Sequence, residues 1–202
     1  MPFDDGVAAA FHRVANLLKG TGEGFVVIGG LAVEAHAIEA GGDLSEMTND
    51  VDLLLQVTPK SLISVAEKLA RDGFDIDPSS VAPSWSTAGF IHVYDHGTRI
   101  DLMEGASSFR SSVFERAGFQ EILGQRVRVA TLEDCIVMKC IAWRPKDIFV
   151  VSELVRICAD SIDRRHLLER VQSLEEDQPQ LQARVESALD PSIPQPPAQR
   201  ED

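Results

Sequence analysis

Cysteine is scarce in this sequence, and its spacing gives it no evident structural task. The 202 residues include three cysteines, Cys135, Cys140 and Cys158, with no CxxC pair and no histidine at zinc-finger spacing. This pattern argues against a disulfide framework and against a zinc knuckle. Such thiols are typical of buried side chains in a reducing cytoplasm.

Long apolar runs are also missing. No run reaches the ~18 residues that a membrane-spanning helix needs, and the first residues are not a basic leader followed by an apolar stretch. We therefore expect a cytoplasmic protein with no membrane partner. The apolar content of 44% is that of a soluble globular protein, and the length suffices for one well-packed domain with a small helical addition.

Positive charge is in short supply. The chain has 19 Lys and Arg against 32 Asp and Glu, which gives a formal net charge of −13. The negative electrostatic field of such a protein repels a phosphate backbone, so non-specific binding to nucleic acid is not expected. The deficit is uneven, because residues 99–147 carry one more basic than acidic side chain. This middle part is the one that could accept an anion.

Residues 25–55 carry the pattern of a strand, a turn, a helix, a loop and a second strand. A short apolar run enters Gly29-Gly30, and small and apolar residues then continue as a predicted helix to Ala40. Backbone N–H groups at such a helix start can face a phosphate. A Gly-Gly turn can equally serve chain geometry alone.

Two aspartates lie on the second strand of this stretch. Asp50 and Asp52 flank Val51, and residues two apart on a strand share a face. Their carboxylates therefore point the same way and repel each other unless a cation or a positive side chain lies between them. A divalent metal ion is the usual solution.

A third aspartate, Asp101, lies on a predicted β-hairpin. Its strands, residues 90–94 and 98–103, flank the turn sequence Asp95-His96-Gly97. Asp101 stands between Ile100 and Leu102. A charged residue between apolar neighbours can simply face solvent, and this alternative stays open for Asp101 considered alone.

Helical spacing of apolar residues predicts most of the remaining structure. We expect one further strand at residues 125–129 and helices within residues 7–19, 58–72, 107–117, 131–141, 146–158, 163–171 and 178–189. Lys139 lies in an otherwise apolar helix, where it could extend its charge from a half-buried face to solvent. Asp147 lies in the first turn of the next helix, where its charge would favour the helix dipole.

Three short motifs together resemble those of the nucleotidyltransferase superfamily that includes polymerase β. They are Ile28-Gly29-Gly30, Asp50-Val51-Asp52 on the next strand and Ile100-Asp101-Leu102 on a later one. Thr48 before the first aspartate, and Lys139 followed eight residues later by Asp147, are similar to the AbiEii-type nucleotidyltransferases of bacterial toxin–antitoxin and phage-defence systems. The resemblance covers about residues 25–155.

This resemblance implies an α+β protein with the minimal nucleotidyltransferase fold, a mixed β-sheet flanked by helices and followed by a C-terminal helical region. We expect a nucleotidyltransferase core at residues 1–130, a helical region at 131–189 and a proline-rich, disordered tail at 190–202. The chain departs from the family pattern in two places. Ser45-Glu46-Met47 stands where an Arg often precedes the first aspartate, and Val150 replaces a further acid.

The resemblance also implies a metal-dependent reaction on a nucleoside triphosphate. Asp50, Asp52, Asp101 and Lys139 would be the catalytic residues. The three aspartates would hold Mg²⁺, two ions being expected, and Asp101 could accept the proton of the acceptor hydroxyl. Gly29, Gly30, Thr48, Lys139 and Asp147 would contribute to nucleotide binding, with Asp147 orienting Lys139 by an ion pair or contacting the nucleotide.

Two classes of function remain open at this point. The first is a Mg²⁺-dependent nucleotidyltransferase whose acceptor is a tRNA 3′ end, a protein hydroxyl or a small molecule. The second is a non-catalytic relative that binds a nucleotide or a partner protein, for instance as the antitoxin-like half of a toxin–antitoxin pair. The intact set of three acids favours the enzyme, and an antitoxin partner would fit either class.

Overall fold

Six strands and nine helices make up the part of the chain that the computed structural model describes, residues 4–44, 48–105 and 107–190. The strands are β1 (Gly24–Ile28), β2 (Asp50–Gln56), β3 (Phe90–Asp95), β4 (Thr98–Glu104), β5 (Gly118–Ile122) and β6 (Gln125–Val129). The helices are α1 (Asp5–Lys19), α2 (Gly29–Glu39), α3 (Pro59–Arg71), α4 (Pro78–Ala88), α5 (Ser108–Arg116), α6 (Leu132–Ala142), α7 (Pro145–Ile157), α8 (Arg164–Gln172) and α9 (Leu181–Leu189).

All six strands belong to one mixed sheet, in the order β3-β4-β2-β1-β6-β5. The pairs β2–β4 and β1–β6 are parallel. The pairs β1–β2, β3–β4 and β5–β6 are antiparallel. The predicted α+β class with a mixed sheet is therefore confirmed.

The chain divides into two units. The first holds the whole sheet and comprises the described residues of Met1–Ala32 and Met47–Ala130, and the second comprises those of Val33–Glu46 and Thr131–Asp202. The predicted domain boundaries stay predictions. Residues 191–202 of the expected disordered tail, and the motif departure at residues 45–47, lie outside the described residues.

Local signals in the sequence account for the helices that cover the first unit. The side chain of Asp4 accepts a hydrogen bond from the Gly6 N–H at the start of α1, whose face toward the core includes Phe11, Val14 and Leu18. At the start of α3, the Thr58 hydroxyl accepts a hydrogen bond from the Ser61 N–H. Capping of this kind satisfies backbone donors that have no partner within the helix.

The central strand of this unit, β2, positions two of the acids. Its second half is the run Leu53, Leu54 and Leu55, all buried, whereas Asp50 and Asp52 at its start are only half-buried. Burying each leucine contributes about 1.5–3 kcal/mol. The apolar half thus anchors the strand between β1 and β4, and the acids are carried at its end.

Two elements were absent from the sequence-based prediction. Helix α4 contains Pro83 and buries only Val81 and Trp85, so its apolar pattern is weak. Strand β5 lies at the edge of the sheet and buries only Ile122. Both elements depend on contacts with the rest of the unit rather than on a strong local pattern.

The second unit is helical in its described residues. Helix α6 begins where the Thr131 hydroxyl accepts a hydrogen bond from the Asp134 N–H, and the Arg170 Nε donates to Asp134 Oδ1 at 3.0 Å. All three cysteines are free and buried, as predicted. Burial raises the pKa of the Cys140 thiol to about 12. Among the described residues, no helix has the length and apolar content needed to cross a membrane.

Candidate functional site

Two neighbouring strands bring the three predicted acids together. In the parallel pair β2–β4, Asp52 lies opposite Asp101 and Asp50 lies opposite Arg99. One carboxylate oxygen from each aspartate lies within 4.8 Å of the others. Asp101 is only 7% exposed, so it does not simply face solvent. We call Asp50, Asp52 and Asp101 the acid cluster.

A positive side chain lies within the acid cluster. Arg99 donates a hydrogen bond to the Asp50 carboxylate, and its Nε is 3.2 Å from Asp101 Oδ1. The hydrogen bond to Asp50 raises the pKa of Arg99, burial acts in the opposite direction, and the charges of Asp101, Asp50 and Asp52 raise it further. The sequence did not lead us to Arg99. It lies two residues before Asp101 on a predicted strand, and residues two apart on a strand share a face, so this spacing could have indicated the contact.

A histidine from the next strand also contacts the acid cluster. His92 lies opposite Asp101 in the antiparallel pair β3–β4, and its Nδ1 is 2.7 Å from Asp101 Oδ1. Because an ionised carboxylate can only accept, this contact is a hydrogen bond to ionised Asp101 when His92 carries a proton on Nδ1. The sequence analysis gave His92 no role. The predicted hairpin could have indicated this contact. Asp95 pairs with Thr98 at its turn, and this register places position 92 opposite position 101.

The two glycines lie directly against the acid cluster and its neighbour Thr48. Gly29 has a φ of +64°, and a Cβ added there would lie 1.8 Å from Asp52 Oδ2. A Cβ at Gly30 would lie 2.3 Å from the Thr48 Oγ1, and this hydroxyl donates to the Asp50 backbone oxygen at 3.2 Å. The glycines therefore permit the close approach of these side chains. Their predicted contact with phosphate stays a prediction.

Replacing Gly29 by alanine tests this close approach. Gly41 is a matched control, because it also has a positive φ, +79°, but a Cβ there would meet nothing within 4 Å. Both variants carry the strain of a side chain in the left-handed region. We expect Gly29→Ala to lose about 1–3 kcal/mol more unfolding free energy than Gly41→Ala, because Asp52 must also move. Urea unfolding measures the difference, and equal losses would contradict the contact.

Lys139 and Asp147, both in the second unit, form an ion pair. Lys139 Nζ is 3.1 Å from Asp147 Oδ1, and Arg144 Nε is 2.6 Å from Asp147 Oδ2. Asp147 is fully buried, and it also accepts the Arg144 backbone N–H at the start of α7. Burial raises the pKa of Asp147, but the hydrogen bonds and charges of Arg144 and Lys139 outweigh it and leave the pKa lowered.

The donor atoms of the acid cluster suit a hard divalent cation. Mg²⁺ prefers oxygen ligands and is often bound by only a few carboxylates together with substrate phosphates. Asp50, Asp52 and Asp101 each offer a carboxylate oxygen within the same 4.8 Å limit. The residues present therefore fit such an ion, while exposed acidic groups can also occur together without one.

Comparison with known proteins gives one family and several structures with the same fold. The family model "Nucleotidyl transferase of unknown function (DUF2204)" matches residues 8–187. None of the curated proteins matches the sequence.

The similar structures are distant in sequence. An antigenic nucleotidyltransferase-like protein from Paracoccidioides brasiliensis is 14% identical, with 91% of this chain and 93% of that chain covered and a TM-score of 0.51. The antibiotic-resistance factor ANT(2″)-Ia is 15% identical in its solution structure, with 87% and 95% covered and a TM-score of 0.54. Its crystal structure in complex with adenylyl-2″-tobramycin is 14% identical, with 84% and 97% covered and a TM-score of 0.52. These similarities confirm the predicted nucleotidyltransferase fold.

Proposed function

Because this chain belongs to the DUF2204 family of nucleotidyl transferases, we propose that it moves a nucleoside monophosphate from a nucleoside triphosphate to an acceptor hydroxyl. The observation that carries the proposal is the approach of Asp50, Asp52 and Asp101 to within 4.8 Å on one face of the sheet. Three carboxylates held this closely are costly without a cation and are suited to binding one.

Magnesium is the cofactor that we propose for the acid cluster. Asp50 and Asp52 would hold the metal that accompanies the triphosphate, and Asp101 would complete the site for a second ion. When bound, these ions supply positive charge to the phosphate oxygens and to the attacking hydroxyl.

At the α-phosphorus, the proposed reaction forms one bond and breaks one, and a proton moves from the acceptor hydroxyl to Asp101. The acceptor oxygen bonds to the α-phosphorus, the bond from that phosphorus to the oxygen bridging to the β-phosphate breaks, and pyrophosphate leaves. Asp101 accepts the proton of the acceptor hydroxyl, for which it must lie within hydrogen-bond reach of that hydroxyl. The protein's main task is to position these groups and to balance their charge.

The remaining predicted residues have proposed roles in nucleotide binding. Backbone N–H groups at Gly29 and Gly30 would face the β- and γ-phosphates, since α2 begins there. Thr48 would support Asp50 through its hydroxyl. Lys139 would supply a positive charge for the triphosphate, and Asp147, at 3.1 Å, would hold the Lys139 ammonium in place.

The identity of the acceptor is a separate part of the proposal, and three kinds of acceptor can be tested. One structural neighbour, the antibiotic-resistance factor ANT(2″)-Ia, is in complex with adenylyl-2″-tobramycin, which favours a small-molecule acceptor here. The net charge of −13 weakens the case for a tRNA 3′ end. A protein hydroxyl, an AbiEii-like defence role and an antitoxin partner remain further proposals from the sequence resemblance, with the cytoplasm as the expected location.

Label transfer tests the function and sorts the acceptors. The protein is incubated with Mg²⁺, a total cell extract and each of the four α-³²P-labelled nucleoside triphosphates. We expect label from at least one of them in RNA, protein or small molecules, and none when EDTA replaces Mg²⁺. An extract without protein is the control, and absence of label in all fractions with every triphosphate would contradict transfer.

One observation favours the second candidate, a non-catalytic nucleotide- or partner-binding protein. Arg99 contacts both Asp50 and Asp101 and can neutralise part of the acid cluster without a metal. Isothermal titration with each nucleoside triphosphate and Mg²⁺ separates the two candidates. Binding accompanied by turnover supports the enzyme, whereas binding without turnover supports the binding protein.

A further inference from the structure

We propose that His92 is a positioning residue that holds one oxygen of Asp101 so that the other faces the metal ion. This inference rests on the proposed function, because it assumes that the acid cluster binds a divalent cation. Partners of this kind, which bind the ligand rather than the metal, orient metal ligands in proteins.

His92 and Arg99 both contact the same carboxylate oxygen of Asp101. His92 Nδ1 lies 2.7 Å from Oδ1, and Arg99 Nε lies 3.2 Å from the same Oδ1. Neither of these two contacts uses Oδ2. Fixing one oxygen from the protein side sets the rotation of the carboxylate, and the other oxygen is then available to a cation or to the acceptor proton.

His92 and Arg99 differ in how they would respond to a cation. Arg99 bridges Asp50 and Asp101 through a permanent positive charge, which a divalent ion in the acid cluster would repel. His92 holds Asp101 through a single Nδ1–H donor, which needs no positive charge. We therefore assign the orientation of Asp101 in the metal-bound protein to His92 rather than to Arg99.

The fold restrains the His92 ring. Strand pairing places His92 directly opposite Asp101, and the Phe90 ring lies with its centroid 5.0 Å from that of His92 at an interplanar angle of 58°. The His92 side chain is 44% exposed, so replacing it changes a contact at the surface of the site rather than the core. Variants at this position should therefore fold.

Two variants separate the hydrogen bond from the packing of the ring. His92→Leu removes the donor, whereas the side-chain amide of His92→Asn places a donor close to where Nδ1 lies. Mn²⁺ affinity, measured by isothermal titration on the full chain, is expected to fall by roughly 10–100-fold in His92→Leu and to be largely restored in His92→Asn. His166, whose Nδ1 is 3.9 Å from Glu169 Oε2 in the second unit, provides the matched control His166→Leu, which should leave the affinity unchanged.

The Asp52→Asn variant makes the possible failures distinguishable. If Asp52→Asn leaves Mn²⁺ affinity unchanged, the acid cluster does not bind the metal, and both the inference and the proposed metal site are wrong. If Asp52→Asn weakens binding and His92→Leu does not, only the role of His92 is overturned. A loss in His92→Leu that His92→Asn does not restore would also overturn it, because the hydrogen bond would then not be the cause. Should His92→Leu fail to fold by circular dichroism, His92→Gln, which displaces the donor, replaces it with the same expectation.

Discussion

Nucleotide transfer is expected to be abolished when Asp50 and Asp52 are both replaced by asparagine. The two amides keep the shape of the side chains but remove two of the three negative charges that would hold the metal ions. Catalysis of phosphoryl transfer depends on positioning and on charge neutralisation, so loss of the ions removes most of the rate enhancement. The label-transfer assay with the preferred triphosphate measures the loss.

The same double variant should fold as well as the wild type without metal. It loses the ion pair between Asp50 and Arg99, but it also loses the repulsion between Asp50 and Asp52. This ion pair is partly exposed, and pairs at the protein surface contribute up to about 1 kcal/mol, so we expect the two effects to cancel to within that amount. Added Mn²⁺ should raise the melting temperature of the wild type, because a ligand of the folded state stabilises it, and should not raise that of the variant.

Asp77→Asn is the matched control for these substitutions. Asp77 is exposed and caps α4 by accepting the Ser79 N–H, a task that asparagine performs as well. This control should retain full transfer and the full Mn²⁺-induced rise in melting temperature. Residual transfer by the double variant at a rate near that of the control would show that Asp50 and Asp52 do not carry the reaction.

The sequence was enough to predict the three acids of the cluster, but not the strand pairing and side chains that surround them. Alternation on a strand placed Asp50 and Asp52 on one face, and the order of the motifs indicated that Asp101 would join them. Each of these inferences needs only local geometry or a short motif. The parallel pairing of β2 with β4, which sets Asp52 opposite Asp101, is a long-range contact that local patterns do not specify.

The side chains that moderate the charge of the acid cluster could not be predicted from local patterns either. The sequence suggested a missing positive charge, because no arginine stands just before Asp50. Arg99 instead comes from β4 and contacts Asp50 across the strand pair. The sequence alone could not place an arginine 49 positions away beside Asp50, because this contact depends on the register of β2 with β4. The same holds for Gly29. The motif identified this glycine, but its closeness to Asp52 follows from the pairing of β1 with β2.

The second large effect concerns stability. Asp147→Asn is expected to lower the free energy of unfolding by about 3 kcal/mol at pH 7, because it removes one member of a buried charged group. Asp147 is fully buried between Lys139, whose side chain is only 16% exposed, and Arg144. The amide leaves the Lys139 ammonium largely buried beside a neutral group. Asp163→Asn is the control in the same unit, because Asp163 is an exposed helix cap and asparagine caps equally well.

The pH dependence of this loss follows from the direction of the pKa shift. The pKa of Asp147 is raised by burial but lowered more strongly by its contacts with Arg144 and Lys139, so its net shift is downward from 3.8. A group whose folded-state pKa is lowered contributes stability that is complete above its unfolded pKa and is lost as the pH falls through the folded value. Urea unfolding of wild type and Asp147→Asn should therefore show a constant difference from pH 7 to about pH 5 and a shrinking one below about pH 4. A difference that keeps its full size at pH 3 would mean that Asp147 stabilises the unit by packing or capping rather than by its charge.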